Sequence, residues 1–254
     1  MDDDIIVLAI LGFIGLLIWG AIKLLKKGKD RFSPLRSKNE ERALRAVAKQ
    51  KSQYTLRAIA EDKTLRISVR IAAIGKLTDE YWIECIARGN EVPAVCYAAI
   101  AELADQKSLA NVVKRTEDKN IGVAALARIT NQELLADIAI DLSDAWIKFE
   151  HRREYCEEVS IKAIKKLTNQ GELVRAANFI VNVKICGVAI AKLSDQKSLA
   201  NVAKNASGIN IRKMAFEKLI DQDALADVAL YSGHDEVSKM AVIKLTDSLL
   251  EWNM

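Results

Sequence analysis

Apolar and polar positions along this chain recur with a long period. A short string returns as KLTDE at 76–80, ELADQ at 102–106, RITNQ at 128–132, KLTNQ at 166–170, KLSDQ at 192–196, KLIDQ at 218–222 and KLTDS at 244–248. Its apolar anchors are Leu77, Leu103, Ile129, Leu167, Leu193, Leu219 and Leu245. Five of the six intervals between them are 26 residues, and the sixth, from Ile129 to Leu167, is 38, or one period plus 12 residues. A fixed period of this length is the mark of a repeat architecture.

Within each period the apolar spacing is helical. An alanine lies four residues before every anchor (Ala73, Ala99, Ala125, Ala163, Ala189, Ala215 and Ala241), and a Val or Ile lies eight before it. These positions share one helix face. Two residues after each anchor stands Asp79, Asp105, Asn131, Asn169, Asp195, Asp221 or Asp247. A short oxygen-bearing side chain at that point caps a helix by accepting from one of its orphan backbone N–H groups. A second apolar set follows each cap, for instance Leu109, Ala110 and Val112, or Leu199, Ala200 and Val202. The pattern predicts an all-α fold: an α-solenoid of short two-helix units over residues 40–254, whose stacking gives a continuous core that no single unit could form. Residues 40–60 read as a degenerate capping unit, and DSLLEWNM at the end reads as a further helix that starts and stops. The 12 extra residues predict an insertion at about residues 141–158.

The amino terminus departs from this pattern. Residues 5–22 are uncharged and apolar, and continuing to Leu25 crosses only Lys23. About 20 helical residues span a bilayer core. The leading MDDD is acidic and no small-residue cleavage site follows, so the stretch reads as one uncleaved transmembrane helix over 5–25, not a signal peptide. Residues 23–51 hold eleven cations against three acids, net +8 in a chain of net +4. The positive-inside rule then places residues 1–4 outside the cell membrane and the repeat domain in the cytoplasm. Lys23, Lys26, Lys27 and Lys29 open a basic juxtamembrane linker, residues 26–39, and are expected to contact anionic lipid headgroups.

Composition agrees with helix: two prolines in 254 residues, and 6% aromatics. Cys85, Cys96, Cys156 and Cys186 form no CxxC pair and mostly sit among apolar helical positions, as small core residues in a reducing compartment.

The units resemble HEAT repeats, in particular the short bacterial HEAT-like units related to phycobilisome-lyase repeats. Val69-Arg70 with Ala72 and Ala73, Ile211-Arg212 with Ala215, and Asp235, Val237 and Ala241 carry the likeness. The resemblance implies architecture and little about function. Some HEAT-like enzymes, such as deoxyhypusine hydroxylase, hold iron with His-Glu pairs. Here the only histidines are His151, followed by Arg152, and His234, followed by Asp235. No phosphate-binding or nucleophile motif is present, so no metal, cofactor or enzymatic activity is expected. Residues 52–254 are near neutral, which argues against a nucleic-acid ligand.

Two features stand out as candidate sites. Lys76, Arg128, Lys166, Lys192, Lys218 and Lys244 precede their anchors and form a basic row. Cations in a last helical turn complement the helix dipole, and the same row could form a ridge for an acidic partner. The insertion gathers Trp146, Phe149, Arg152, Arg153 and Tyr155. Aromatics with Arg are the composition of interface hot spots, though such aromatics also pack a longer helix onto its neighbours. The expected function is a membrane-anchored cytoplasmic scaffold for an unidentified cytoplasmic protein, with a lyase- or chaperone-like accessory protein or a nucleic-acid-binding solenoid as the alternatives.

Overall fold

The computed structural model describes residues 33–89 and 91–252. Among them there are fifteen α-helices and no strand. The odd-numbered helices are α1 (Glu40–Ala48), α3 (Ile67–Ile74), α5 (Pro93–Glu102), α7 (Lys119–Arg128), α9 (Arg153–Lys166), α11 (Val183–Lys192), α13 (Ile209–Glu217) and α15 (Asp235–Trp252). The even-numbered helices are α2 (Gln53–Glu61), α4 (Glu80–Gly89), α6 (Gln106–Arg115), α8 (Gln132–Lys148), α10 (Gln170–Phe179), α12 (Gln196–Asn205) and α14 (Gln222–Tyr231).

The recurrent string explains how this chain turns. Asp79, Asp105, Asn131, Asn169, Asp195 and Asp221 accept from the backbone N–H three residues on, at 2.7 to 3.2 Å, and so start every even helix from α4 to α14. Leu103, Ile129, Leu167 and Leu193 are extended C-cap residues that stop the odd helices. Their side chains plug the core. All seven register alanines are fully buried. A larger side chain there would force adjacent helices apart.

The main packing partners follow one rule. Each even helix packs tightly on the odd helix after it; odd helices also pack on odd neighbours and even on even. The close antiparallel pair therefore spans the short connection after each even helix, and the capped turn is the looser joint.

Two expectations change. Residues 33–39 are not free linker: Ser33–Arg36 forms a 3₁₀ turn whose Leu35 is 1% exposed in the core, and Arg36 reaches Asp62 and Thr64. An apolar residue with a core site available outweighs the flanking charges. The register position at 247 starts no helix, because α15 runs unbroken from Asp235 to Trp252. The run that follows Leu245 is made mostly of helix-forming residues and continues the helix. The insertion makes no new element beyond a 3₁₀ turn at Glu150–Arg152; it lengthens α8 to 17 residues and α9 to 14. Among the described residues no helix is long and apolar enough to cross a membrane. The expected span at 5–25, with Lys23, Lys26, Lys27 and Lys29, lies outside the described residues.

Candidate interaction edge

The insertion splits its five candidate residues into two groups. Tyr155 and Arg152 turn inward. Tyr155 is buried and its hydroxyl donates to the carbonyl of Val113 at the end of α6. Burial pushes its pKa well above the ordinary value, so it remains a donor. Arg152 donates to the carbonyls of Lys114 and Thr116, at 3.1 and 2.9 Å, and lies 5.2 Å from the Tyr155 ring centroid. Both satisfy orphan carbonyls at a helix C-terminus, so neither is free to meet a partner.

Trp146, Phe149 and Arg153 stay toward solvent. Trp146 is half-buried, with the Arg153 guanidinium 5.3 Å from its ring centroid, and Arg153 also pairs with Glu150 at 3.2 Å. Phe149 stands exposed beside His151. Ile147, 52% exposed, accompanies it. The next connection on the same edge, between α10 and α11, exposes Phe179, Val181 and Val183. Lys184 there pairs with Glu157 of α9, tying the two connections together. Five large apolar side chains thus line one edge over two successive connections.

The inward turn of Tyr155 has a sequence cause. The residue seven before each anchor is Arg70, Cys96, Gly122, Ser160, Cys186, Arg212 or Ser238. Arg70 donates to Ala60 at 2.8 Å, Ser160 to Ala139 at 3.3 Å, Cys186 to Ala177 at 3.3 Å, Arg212 to Ala206 at 2.7 Å and Ser238 to Ala229 at 2.6 Å, in each case a carbonyl of the preceding even helix or, for Ala206, of its C-cap. Gly122 has no side chain to do this. Tyr155 fills the vacated space and takes the corresponding carbonyl, Val113.

The basic row is also used internally. Lys76 reaches the carbonyls of Ala48 and Gln50 at 2.5 and 2.7 Å. Lys166 reaches Leu126 and Ala127, Lys192 reaches Lys165, Lys218 reaches Ile190, and Lys244 reaches Leu219, all between 2.6 and 2.8 Å, and Arg128 reaches Ile100. Each cation complements the C-terminus of the odd helix one unit earlier, not that of its own helix as the local dipole argument expects. The row is a set of joints between units and no open ridge.

Glutamines carry a second set of joints. Gln106, Gln132, Gln170 and Gln196 stand one residue after their caps. Each accepts, through Oε1, from the capped turn of the next unit: Gln106 from Thr130 N at 2.8 Å, Gln132 from Thr168 N at 2.7 Å, Gln170 from Ser194 N at 3.1 Å and Gln196 from Ile220 N at 2.8 Å. The signal was the Q that closes most of the recurrent strings.

An aromatic group also gathers near the amino-terminal end, where Tyr54 and Trp82 lie 4.9 Å apart with Arg57 over Trp82. Among the described residues no three His, Cys, Asp or Glu side chains are placed to hold a metal ion. No family model, curated protein or solved structure matches the chain.

Proposed function

We propose that this protein is a membrane-anchored scaffold whose HEAT-like solenoid binds a cytoplasmic protein along the edge formed by Ile147, Phe149, Phe179, Val181 and Val183. The solenoid reading is supported by packing that, among the described residues, is strongest between near neighbours in the chain and by three side-chain ladders with the period of the sequence. The anchor reading rests on the uncharged stretch at residues 5–22 and the cations after it. It sets the chain single-pass in the cell membrane, amino terminus out. A tethered scaffold raises the local concentration of what it binds.

The observation that carries the binding role is the exposed edge. Exposed apolar side chains beside charge mark interaction sites, and here they stand at the lengthened connection between α8 and α9 and at the one that follows it on the same edge. The insertion does not repair a core defect alone: Tyr155 would do that without Ile147 and Phe149. Capture from solubilised membranes tests the proposal. The full chain should retain a protein partner that a Phe149→Asp/Val183→Asp variant loses. If the two retain the same proteins, the edge is not the binding site. If the chain instead retains nucleic acid or a tetrapyrrole, the scaffold reading fails.

A further inference from the structure

The first helix of the folded domain carries a cationic hollow, next to the carbonyls that Lys76 takes. Its volume is about 380 Å³ and it is lined by Pro34, Arg42, Arg45, Ala46, Lys49 and Gln50. The 3₁₀ turn at 33–36 forms one wall and the outer side of α1 the other. Residues 36–51 hold six cations against two acids. Arg36 is held by Asp62 and Thr64, and the C-terminal carbonyls of α1 are taken by Lys76. Among the described residues, Arg45 alone of the three cations in the hollow has an acidic partner, Glu41 at 2.5 Å, and that pair is highly exposed on both sides. Such a pair exchanges readily for another anion. No ion pair of Arg42 or Lys49 exists among the described residues.

We infer that this hollow is a binding site for the phosphate of an anionic phospholipid headgroup, docking the first helix of the solenoid on the bilayer. The inference rests on the anchor reading. Ten residues, 23–32, separate the apolar run from Ser33, and even fully extended they span at most about 35 Å. The hollow therefore stays within reach of the leaflet that the anchor would leave. Two guanidinium groups offer forked donors for phosphate oxygens and Lys49 adds a point charge. Each cation near an anionic surface contributes about a fivefold gain in affinity. Docking would fix how the stack stands on the membrane, where a free tether would let it tumble.

Lysine acylation, read by mass spectrometry on the full chain, tests this. With the chain reconstituted in phosphatidylcholine bilayers containing phosphatidylglycerol, Lys49 should acylate several-fold more slowly than in phosphatidylcholine alone. Lys197, far along the chain, serves as the reference and should not change. The protection should weaken in high salt and be lost in Arg42→Gln/Arg45→Gln. Equal Lys49 rates in both bilayers overturn the proposal. So does equal protection by inorganic phosphate in neutral bilayers, which would make the hollow a site for free phosphate. Flotation with neutral vesicles reports the anchor separately. A chain that fails to float refutes the tether, and the Lys49 comparison, repeated with added anionic vesicles, still decides the hollow.

Discussion

Replacing Gly122 by alanine tests whether Tyr155 stands in for a missing side chain. Helix propensity alone makes the substitution stabilising, by about 1 kcal/mol in a helix interior. The surroundings reverse the sign. A methyl at Gly122 would overlap the Tyr155 hydroxyl and approach its ring carbons within 3.0 Å. The obstacle is a stiff ring with Arg152 close by, not the tip of a flexible chain. Overpacking of this kind costs about 1–3 kcal/mol, and displacing the hydroxyl leaves the Val113 carbonyl without its donor, for about 1–2 kcal/mol more. The net is a loss of about 2 kcal/mol, read as a lower guanidinium midpoint by circular dichroism of the detergent-solubilised chain. The compensating pair sharpens the test. Gly122→Ser places a hydroxyl at the register where Ser160 and Ser238 meet their carbonyls, and Tyr155→Leu makes room for it. The double variant should therefore be more stable than the sum of the single effects by at least about 1 kcal/mol. A Gly122→Ala chain as stable as the parent, or a cycle with no coupling, would refute the substitution of one side chain for the other.

Other outcomes follow from the joints and the core. Gln196→Ala should destabilise by about 1 kcal/mol, because it removes the acceptor for Ile220 N and Asp221 N; Gln196→Glu, which keeps that acceptor as Glu80 does for Ala104 N, should lie between, and denaturation midpoints order the three. Asp195 sits below its ordinary pKa, chiefly through hydrogen bonding from Ser198. Its contribution is thus present above the ordinary carboxylate value and lost as pH falls through the depressed one, so Asp195→Asn, which keeps a cap acceptor as at Asn169, should show a weaker loss of stability between neutral and acid pH. Native alkylation should modify Cys85 first and reach Cys96, Cys156 and Cys186 only on denaturation, since these three are buried and burial pushes the Cys186 thiol up to about 12.

The helices were legible because the evidence for them is local. A cap, an alanine and an anchor at fixed spacing fix where a helix begins, which face it buries and where it stops. The ladders were legible only as recurrence. Sequence showed that Lys or Arg returns before six of seven anchors and that Gln returns after most caps, but not that both reach across one period to neighbouring backbone. That reach depends on how tightly successive helices stack, which no single unit encodes. Tyr155 shows the same limit. Its composition with Arg152 looks like an interface, yet its partner is a glycine 33 residues earlier, and an absence at one register is hard to see until the other six are aligned. Phe149 and Ile147 were separable from it only once α9 had a direction. Asp247 carries the cap signal yet lies inside α15, because a cap residue does not by itself break a run of helix-forming neighbours.

The measurement that bears most directly on the scaffold proposal is quantitative capture from solubilised membranes by the parent chain and by Phe149→Asp/Val183→Asp, matched for helix content. The account predicts a protein retained in fixed ratio by the parent and lost with the variant. Equal retention by both, or no protein retained by the parent, would contradict it.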